Sequence, residues 1–326
     1  MEKVTINDIA RQVGVSKATI SYYLNGNTHK MSLKTSERIR QVIEETGYQP
    51  NKVAQSLVTR DTKTIGVVIA DITNPFISTV MKAVHDTCTI YGYTVNFTNS
   101  DNDPLIEEEN IHRLEQQHVS GMIIDPTDAN RPFLQELDNT RVVMVDREAK
   151  NLVLDTVVSN NIASTKAFLE KMKVAGYEDI YFVSFPLAGI STREKRYQGF
   201  KEVVSDNPEK LLILGEEGIE DRILDLIAQK TEKLAFFTMN GPTLLAFMKI
   251  VNNSPYSYPR DFGLGSYEDL EWMEVLSPKV SCIRQESYQI GELAARHLIQ
   301  KLKDEIPINP PQLLVVPSLV VLRDSF

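Results

Sequence analysis

The sequence lacks long apolar runs and has very few cysteines. In 326 residues, the longest apolar stretches, such as Val67–Ala70 and Leu319–Leu322, have only the length of a strand, whereas a membrane-spanning helix needs about 20 apolar residues. The first residues, with Glu2 and no apolar segment, do not resemble a signal peptide. Cys88 and Cys282 stand far apart, as is typical of reduced core cysteines and not of a metal site. We therefore predict a cytoplasmic protein that does not enter the membrane.

Motifs for catalysis are also missing. No nucleophile elbow, phosphate-binding loop or zinc-ligand spacing occurs. The histidines form no ligand pattern, and we expect them on a loop, on helix surfaces and at helix ends: His29, His85, His112, His118 and His297. Asp71 and Asp125 follow predicted strands, where a carboxylate caps or binds a ligand as readily as it catalyses. The sequence predicts a protein that is not an enzyme, with no catalytic residue, metal or cofactor.

The charge is distributed unevenly along the chain. The whole chain carries −9, which by itself argues against nucleic-acid binding. Residues 1–60, however, contain 9 Lys and Arg against 5 Asp and Glu, a net of +4, whereas residues 61–326 contain 26 against 39, a net of −13. A basic head on an acidic body indicates that only the head approaches phosphate.

Residues 1–48 have the pattern of three short helices. Each helical segment follows a residue that commonly caps helices: Thr5 before Ile6–Val13, Ser16 before Lys17–Leu24, and Ser32 before Leu33–Thr46. The break between the first two segments is only a short turn at Gly14. Three helices with such a turn predict a helix-turn-helix head.

The second segment, Lys17–Leu24, carries the side chains of a recognition helix. Ile20 and Leu24 are expected in the core, while the N-terminal turn enters the major groove in helix-turn-helix proteins. Lys17 can donate to guanine, and Ala18 can contact the methyl group of thymine. Three further hydroxyl groups can bind phosphate: those of Ser16, Thr19 and Ser21.

The pattern changes after residue 48. Residues 49–63 form a hinge and linker with at most two helical turns, which we expect to fold conditionally. Over residues 64–326, apolar runs alternate with helical segments and predict ten strands, with none at 146–179 and none at 266–312. This alternation predicts a doubly wound α/β body with an N-lobe of about 64–158 and 287–315 and a C-lobe of about 159–286 and 316–326. Ligands of such folds bind at the carboxyl ends of strands and between lobes.

Motifs in a characteristic order run along the whole chain. TINDIARQVGVSKATISYYLNG (Thr5–Gly26) opens the series, and Met31–Phe76 continues it with Pro50-Asn51, Ala54 and Ser56-Leu57. GMIIDPT, VDR, RYQGF, GSYED, IGELAARHLIQKL and LVVLRDS follow. In extent and order these motifs resemble the lactose repressor/purine repressor family of bacterial transcription regulators. The segment KATISY (Lys17–Tyr22) resembles the ketodeoxygluconate-type regulators of that family.

The resemblance implies a set of DNA-binding residues. By motif, Leu57 would be the apolar wedge that paired hinge helices push into the minor groove, where it kinks the DNA; a leucine buried in a local cluster is the alternative. The complete set comprises Thr5, Ser16, Lys17, Ala18, Thr19, Ser21, Tyr22, Asn25, Asn51, Ala54 and Leu57. Tyr22 stands where the family commonly has arginine, so operator preference at that position should differ.

The resemblance also implies an effector site between the lobes of a body like that of periplasmic sugar-binding proteins. By motif, Phe76 would stack on the ligand. Polar contacts would come from Asn160, Arg193, Arg196, Asn240, Glu268 and Gln285, although any one of them could instead be a solvated surface residue. Gly241 and Glu268 both stand where aspartate is common, which argues against a typical neutral hexose.

The sequence as a whole predicts a homodimeric repressor of carbohydrate-metabolism genes. It would bind a pseudo-palindromic double-stranded operator and respond to a sugar-type metabolite. Arg193 and Arg196 against the single carboxylate of Glu268 favour a sugar acid, and the lack of a heptad segment after Arg323 favours a dimer over a tetramer. The alternatives are a regulator controlled by a protein partner and a sugar-binding protein with a vestigial head.

Overall fold

The computed structural model describes residues 4–24, 26–48, 61–306 and 310–326. The chain divides into two compact units, Met1–Thr62 and Lys63–Phe326. Four residues of the predicted DNA-binding set lie outside the described residues: Asn25, Asn51, Ala54 and Leu57. Within the described ranges, no helix is long and apolar enough to cross a membrane.

The first unit is the predicted three-helix head. Its helices are α1 (Ile6–Val13), α2 (Lys17–Leu24) and α3 (Leu33–Thr46), with a single 3₁₀ turn at Thr28–Lys30. All three predicted helices are confirmed, because their caps and their apolar spacing are local signals. The helices share a small core of Ile9, Ala10, Ile20, Ile39 and Val42.

The strands of the second unit alternate with helices. The described strands are β1 (Thr64–Ile69), β2 (Thr94–Asn99), β3 (Gly121–Ile124), β4 (Val142–Val145), β5 (Asp155–Ser159), β6 (Asp179–Ser184), β7 (Leu211–Ile213), β8 (Leu234–Thr238), β9 (Gly263–Tyr267), β10 (Ser281–Arg284), β11 (Leu313–Val316) and β12 (Leu319–Val321). The described helices are α4 (Pro75–Ile90), α5 (Pro104–Gln116), α6 (Asn161–Val174), α7 (Ser191–Val203), α8 (Ile219–Ala228), α9 (Gly241–Asn252) and α10 (Ser287–Leu302).

These strands form two six-stranded sheets, one in each lobe. The N-lobe sheet has the order β11-β5-β4-β3-β1-β2 with parallel neighbours, and the C-lobe sheet has the order β12-β10-β9-β8-β6-β7, in which only β12 is antiparallel to its neighbour. The chain therefore passes between lobes three times, after β5, after β10 and between β11 and β12. The predicted two-lobed, doubly wound α/β body is confirmed.

The interior of each lobe is apolar on both faces of its sheet. In the N-lobe, α4 and α10 cover one face and pack directly against each other. At Gly291 of α10, a Cβ atom would lie 2.2 Å from the carbonyl oxygen of Val80, so the close approach of these two helices requires glycine. Cys88 and Cys282 are buried free thiols, as predicted.

Two strands and several helix starts differ from the prediction. β5 and β10 were not expected, because DTVVS and SCIR are short and carry polar residues at their ends. Both strands lie in the interior of a sheet, so tertiary pairing and not local pattern makes them strands. α7 begins at Ser191, four residues before the predicted Lys195, and therefore includes Arg193.

His297 lies on α10 and is only partly exposed, because it contacts a buried carboxyl group that its sequence position did not reveal. Its Nε2 atom lies 2.8 Å from Oδ2 of buried Asp155, and Nζ of Lys301 lies 2.6 Å from the same oxygen. Burial alone would raise the pKa of Asp155, but hydrogen bonds from His297 and Lys301 lower it to about 2. This cluster ties the end of α10 to the start of β5.

Candidate effector site and DNA-binding helix

Polar residues gather where parallel strands of both lobes end. In the N-lobe, Asp125 follows β3, and Asp146 and Arg147 follow β4; in the C-lobe, Glu268 follows β9 and Gln285 follows β10. Parallel neighbours place these carboxyl ends along one edge of each sheet. The sequence therefore brings its charged side chains to the position where α/β folds bind ligands.

Arg196 lies at the centre of this region. The residue is only 3% exposed, and its Nε atom donates to Oδ1 of Asn161 at 2.8 Å. Its Nη1 donates to the carbonyl oxygen of Met239 at 3.1 Å, and its Nη2 donates to Oε1 of Gln285 at 3.2 Å. The guanidinium carbon is 3.7 Å from the ring centroid of Tyr267. Arg196 is thus fixed by neutral hydrogen-bond partners, and no described carboxylate oxygen lies within the 4.0 Å ion-pair distance of its guanidinium.

Gln285 has a donor with no partner. Its Oε1 accepts from Oγ of Ser159 at 2.8 Å as well as from Arg196. Its Nε2 is buried and finds no acceptor among the described residues. A buried donor left unpaired costs about 1–3 kcal/mol, so a ligand oxygen at this point would be stabilising.

Glu268 and Gly241 are linked by packing. Glu268 is 4% exposed, and its Oε2 accepts from the backbone N–H of Gly241 at 2.9 Å, at the start of α9. A Cβ atom at position 241 would lie 2.2 Å from Cδ1 of Leu270 and 2.9 Å from that same Oε2. A side chain at position 241 would therefore require the side chains of Leu270 and Glu268 to shift. The two departures noted in the sequence are in direct contact in the structure.

Burial also sets the protonation of Glu268. Burial raises the pKa of its carboxyl to about 7, which Arg196 and the N–H of Gly241 only partly offset. Asp146 is buried too, and desolvation raises its pKa against the opposing charges of Arg196 and Arg147. At neutral pH the carboxyl of Glu268 is therefore only partly ionised.

Arg193 adds a second guanidinium to the site. It is half-buried, and its Nη1 donates to the carbonyl oxygen of Pro186 at 2.7 Å. Desolvation, together with repulsion from Arg147 and Arg196, lowers its pKa to about 10. Across the described residues, no carboxylate oxygen lies within the 4.0 Å ion-pair distance of these three arginines. The site thus combines three guanidinium groups without an ion-pair partner.

The structure brings some of the seven predicted effector residues together and gives the others contacts within the fold. Arg193, Arg196, Glu268 and Gln285 come together as described. Asn240 stands beside them, but its Oδ1 caps α9 through the N–H and hydroxyl of Thr243. Two others have structural contacts: Phe76, 4% exposed, packs in the N-lobe core, and Oδ1 of Asn160 accepts from the backbone N–H of Ser318 at 2.8 Å. Ligand contact by each of the seven stays a prediction.

Three residues of the site were missed in the sequence. They are Asp146, Arg147 and Tyr267. A signal existed for the first two, since an Asp-Arg pair follows directly after the apolar run VVMV. Tyr267 resembled an ordinary strand residue, and only the stacking of Arg196 on its ring reveals its role. Across the described ranges, no group of His, Cys, Asp or Glu is arranged to hold a metal ion.

The head presents the N-terminal turn of α2 to solvent. Lys17 and Ala18 are exposed, whereas Ile20 is buried in the head core. Oγ of Ser16 accepts from the backbone N–H of Thr19 at 3.1 Å and lies 2.9 Å from its hydroxyl, so this pair caps the helix.

Two other predicted DNA-binding residues have defined partners. Thr5 forms a capping box with Asp8, in which its hydroxyl donates to Oδ2 at 2.6 Å. Tyr22 is 40% exposed, and Nζ of Lys30 lies 4.4 Å from its ring centroid. Tyr22 therefore offers an aromatic surface, with a cation beside it, where arginine is common.

Comparisons with known proteins agree with this arrangement. Residues 5–51 match the family described as "Bacterial regulatory proteins, lacI family", and residues 65–255 match "Periplasmic binding protein domain". The chain is 31% identical to the HTH-type transcriptional regulator KdgR of Bacillus subtilis (strain 168), over 98% of this chain and 97% of that protein. It is also 31% identical to the HTH-type transcriptional regulator PtxS of Pseudomonas putida, over 93% and 91%.

A solved structure has the same fold. The Lac repressor bound to ONPG in the repressed state superposes with a TM-score of 0.83 at 20% identity, covering 100% of both chains. Head, body and relatives together define a helix-turn-helix transcription regulator and not an enzyme. The chain belongs to the lacI family of bacterial regulatory proteins.

Proposed function

We propose that this regulator is a cytoplasmic repressor of carbohydrate-metabolism genes whose effector is a sugar acid. As a homodimer it binds a pseudo-palindromic operator through α2 of each subunit. The observation that carries the effector proposal is the pair Arg193 and Arg196, which gather at the strand ends without a carboxylate within 4.0 Å among the described residues.

Charge and geometry both favour an anionic ligand. A buried guanidinium without a counterion is costly, and a ligand carboxylate supplies charge-assisted, often bidentate hydrogen bonds. Residues 61–326 carry a net charge of −13, so the attraction must be local to these arginines. The raised pKa of Glu268 lessens its repulsion of such a ligand at neutral pH. The free Nε2 of Gln285 would serve a hydroxyl or carboxylate oxygen.

Calorimetry on the full chain tests the effector class with matched ligands. D-gluconate and D-galacturonate are compared with D-glucose and D-galactose, and operator release is followed in parallel. We expect binding of at least one acid and at least tenfold weaker binding of the neutral sugars, since a charge-assisted contact contributes about 1.5–3 kcal/mol. Tight binding of a neutral sugar, with no binding of any sugar acid and no operator release by one, would contradict the proposal.

Two variants locate the contact. Arg193→Met removes a guanidinium that the fold uses for only one carbonyl contact, and should weaken acid binding while leaving effector-free operator binding intact. Arg222→Met is the control, because Arg222 lies in α8 and pairs with Glu209. Equal loss in both variants would point to general destabilisation of the body.

A further inference from the structure

The head carries a lysine that the predicted DNA-binding set does not include. Lys30 lies in the 3₁₀ turn Thr28–Lys30 between α2 and α3, and its Nζ atom lies over the ring of Tyr22, 4.4 Å from the ring centroid. Among the described residues, no carboxylate oxygen lies within the 4.0 Å ion-pair distance of this ammonium group. Tyr22 and Lys30 therefore form a pair in which the cation has an aromatic partner and no described counterion.

The backbone after α2 places Lys30 beside Tyr22. The backbone N–H of Asn27 donates to the carbonyl oxygen of Tyr22 at 2.8 Å, and Gly26, with a φ of +76°, allows the chain to turn back at this point. The N–H of Lys30 donates to the carbonyl oxygen of Asn27 at 3.2 Å, which closes the 3₁₀ turn. Met31, the next residue, packs against the core of the head. Lys30 thus lies between two anchored points of the backbone.

Tyr22 lies on the helix face that carries one of the predicted base-reading residues. Ala18 is four residues before Tyr22 in α2, so the two side chains lie on the same face of the helix. Both are exposed, as is Lys30, whereas Ile20 is buried in the head core. The ammonium group of Lys30 therefore adds a positive charge to the surface of α2 that is predicted to face DNA.

The chemistry and the place of this cation favour a contact with phosphate. A lysine ammonium group is a compact charge with three donor hydrogens, and the ring of Tyr22 covers only one side of it. The N-terminal turn of a recognition helix enters the major groove, whereas Lys30 follows the C-terminal end of α2. We expect a cation at that end to reach the sugar-phosphate backbone at the edge of the groove and not the base edges.

We propose that Lys30 binds a backbone phosphate of the operator and that Tyr22 is a positioning residue, whose ring holds the ammonium group beside the DNA-facing surface of α2. The turn thereby returns a positive charge to a face on which Tyr22 stands where arginine is common. The inference rests on the proposed binding of DNA through α2 and is independent of the class of effector.

The first test measures the salt dependence of DNA affinity, with the full chain and a duplex that the unaltered chain selects from a random pool. Lys30→Met removes the charge from an exposed position and should reduce the slope of log affinity against log salt by about 0.9, the value for one phosphate of double-stranded DNA. Affinity should fall several-fold for all duplexes alike, since a phosphate carries no sequence information. Lys30→Arg, which keeps the charge, should retain the slope.

Arg40→Met is the matched control, because it also removes one positive charge from the head. Arg40 lies in α3 and forms ion pairs with Glu37 at 2.9 Å and with Glu44 at 3.2 Å. The slope of this variant should equal that of the unaltered chain. A slope reduced equally by Lys30→Met and Arg40→Met would mean that only the net charge of the head matters, and would contradict the inference.

The second test is a double-mutant cycle between the two residues of the pair. Tyr22→Leu removes the ring, whereas Tyr22→Phe keeps an aromatic face for the cation. If the ring holds Lys30, then Lys30→Met should reduce affinity by about two- to fivefold more in the Tyr22→Phe background than in the Tyr22→Leu background, the effect of an exposed cation–π contact. Equal losses in both backgrounds would show that Tyr22 does not position Lys30.

Lys17→Ala separates the inference from the proposed function. If Lys17→Ala weakens DNA binding but Lys30→Met keeps the affinity and the slope of the unaltered chain, the inference is wrong and the function stands. If neither variant changes DNA binding, α2 does not bind DNA and both fail. Altered preference at one base position in Lys30→Met would show that Lys30 contacts a base and not a phosphate, which also contradicts the inference.

Discussion

The buried carboxyl of Glu268, in the candidate effector site, should make the stability of the body depend on pH. Its pKa is raised from 4.5 to about 7 by burial, with Arg196, Asp146 and the N–H of Gly241 as its polar neighbours. The folded state therefore holds this proton more tightly than the unfolded chain does. The free energy of unfolding should fall as pH rises from about 4.5 to about 7, and no further above that.

Glu268→Gln should remove this pH dependence while keeping an acceptor for Gly241. We expect the variant to be more stable than the unaltered chain at pH 8, by up to roughly 3 kcal/mol at 1.36 kcal/mol for each pKa unit, and to lose that advantage near pH 4.5. Thermal unfolding at both pH values measures this difference. Glu271→Gln, at an exposed position of the same lobe, is the control. An advantage of the same size at both pH values would contradict the assignment.

At the scale of a single element, we predict that α2 carries the sequence specificity of the head. Its exposed first turn offers Lys17 and Ala18, while its buried face is fixed by Ile20. Lys17→Ala should cost about 1–3 kcal/mol of operator affinity and relax one base position in each half-site. Fluorescence anisotropy on duplexes selected from a random pool measures both effects at a fixed salt concentration.

The control for α2 is a lysine of the head outside that turn. Lys34→Ala, in α3, should lower affinity for all sequences alike or not at all. Affinity of the unaltered chain should fall linearly with salt on a double-logarithmic scale. Uniform weakening by Lys17→Ala across all sequences would mean that Lys17 contacts phosphate and not a base.

At the scale of the whole molecule, we predict that head and body are coupled through residues 49–63, of which 49–60 lie outside the described residues. Leu57, which lies outside the described residues, stays the predicted wedge in the minor groove. Leu57→Ala should sharply weaken operator binding and reduce DNA bending, because the side chain that unstacks the bases is lost. Effector affinity of the body should not change. Circular-permutation bending assays and calorimetry measure the two effects, and an unchanged bend angle would show that Leu57 is not the wedge.

The helices of the head and the alternation of the body followed from the sequence alone. Caps at Thr5, Ser16 and Ser32 and apolar residues at helical spacing act over a few residues, so α1, α2 and α3 were predicted to their ends. The apolar run TIGVVI likewise predicted β1, because a buried parallel strand needs apolar residues on both of its faces. The family resemblance of the motifs predicted four residues of the candidate site, which are Arg193, Arg196, Glu268 and Gln285.

Only the tertiary structure decided which distant residues meet. β5 and β10 are strands because neighbours on both sides pair with them, and a five- or four-residue segment carries too little pattern to show this. His297 is only partly exposed because it contacts Asp155, which lies 142 positions away in the sequence. Arg147 owes its place to Thr127, 20 positions earlier, which depends in turn on Glu107. Each of these contacts joins residues of different elements, and the order of residues in the sequence does not show which distant residues will lie close together.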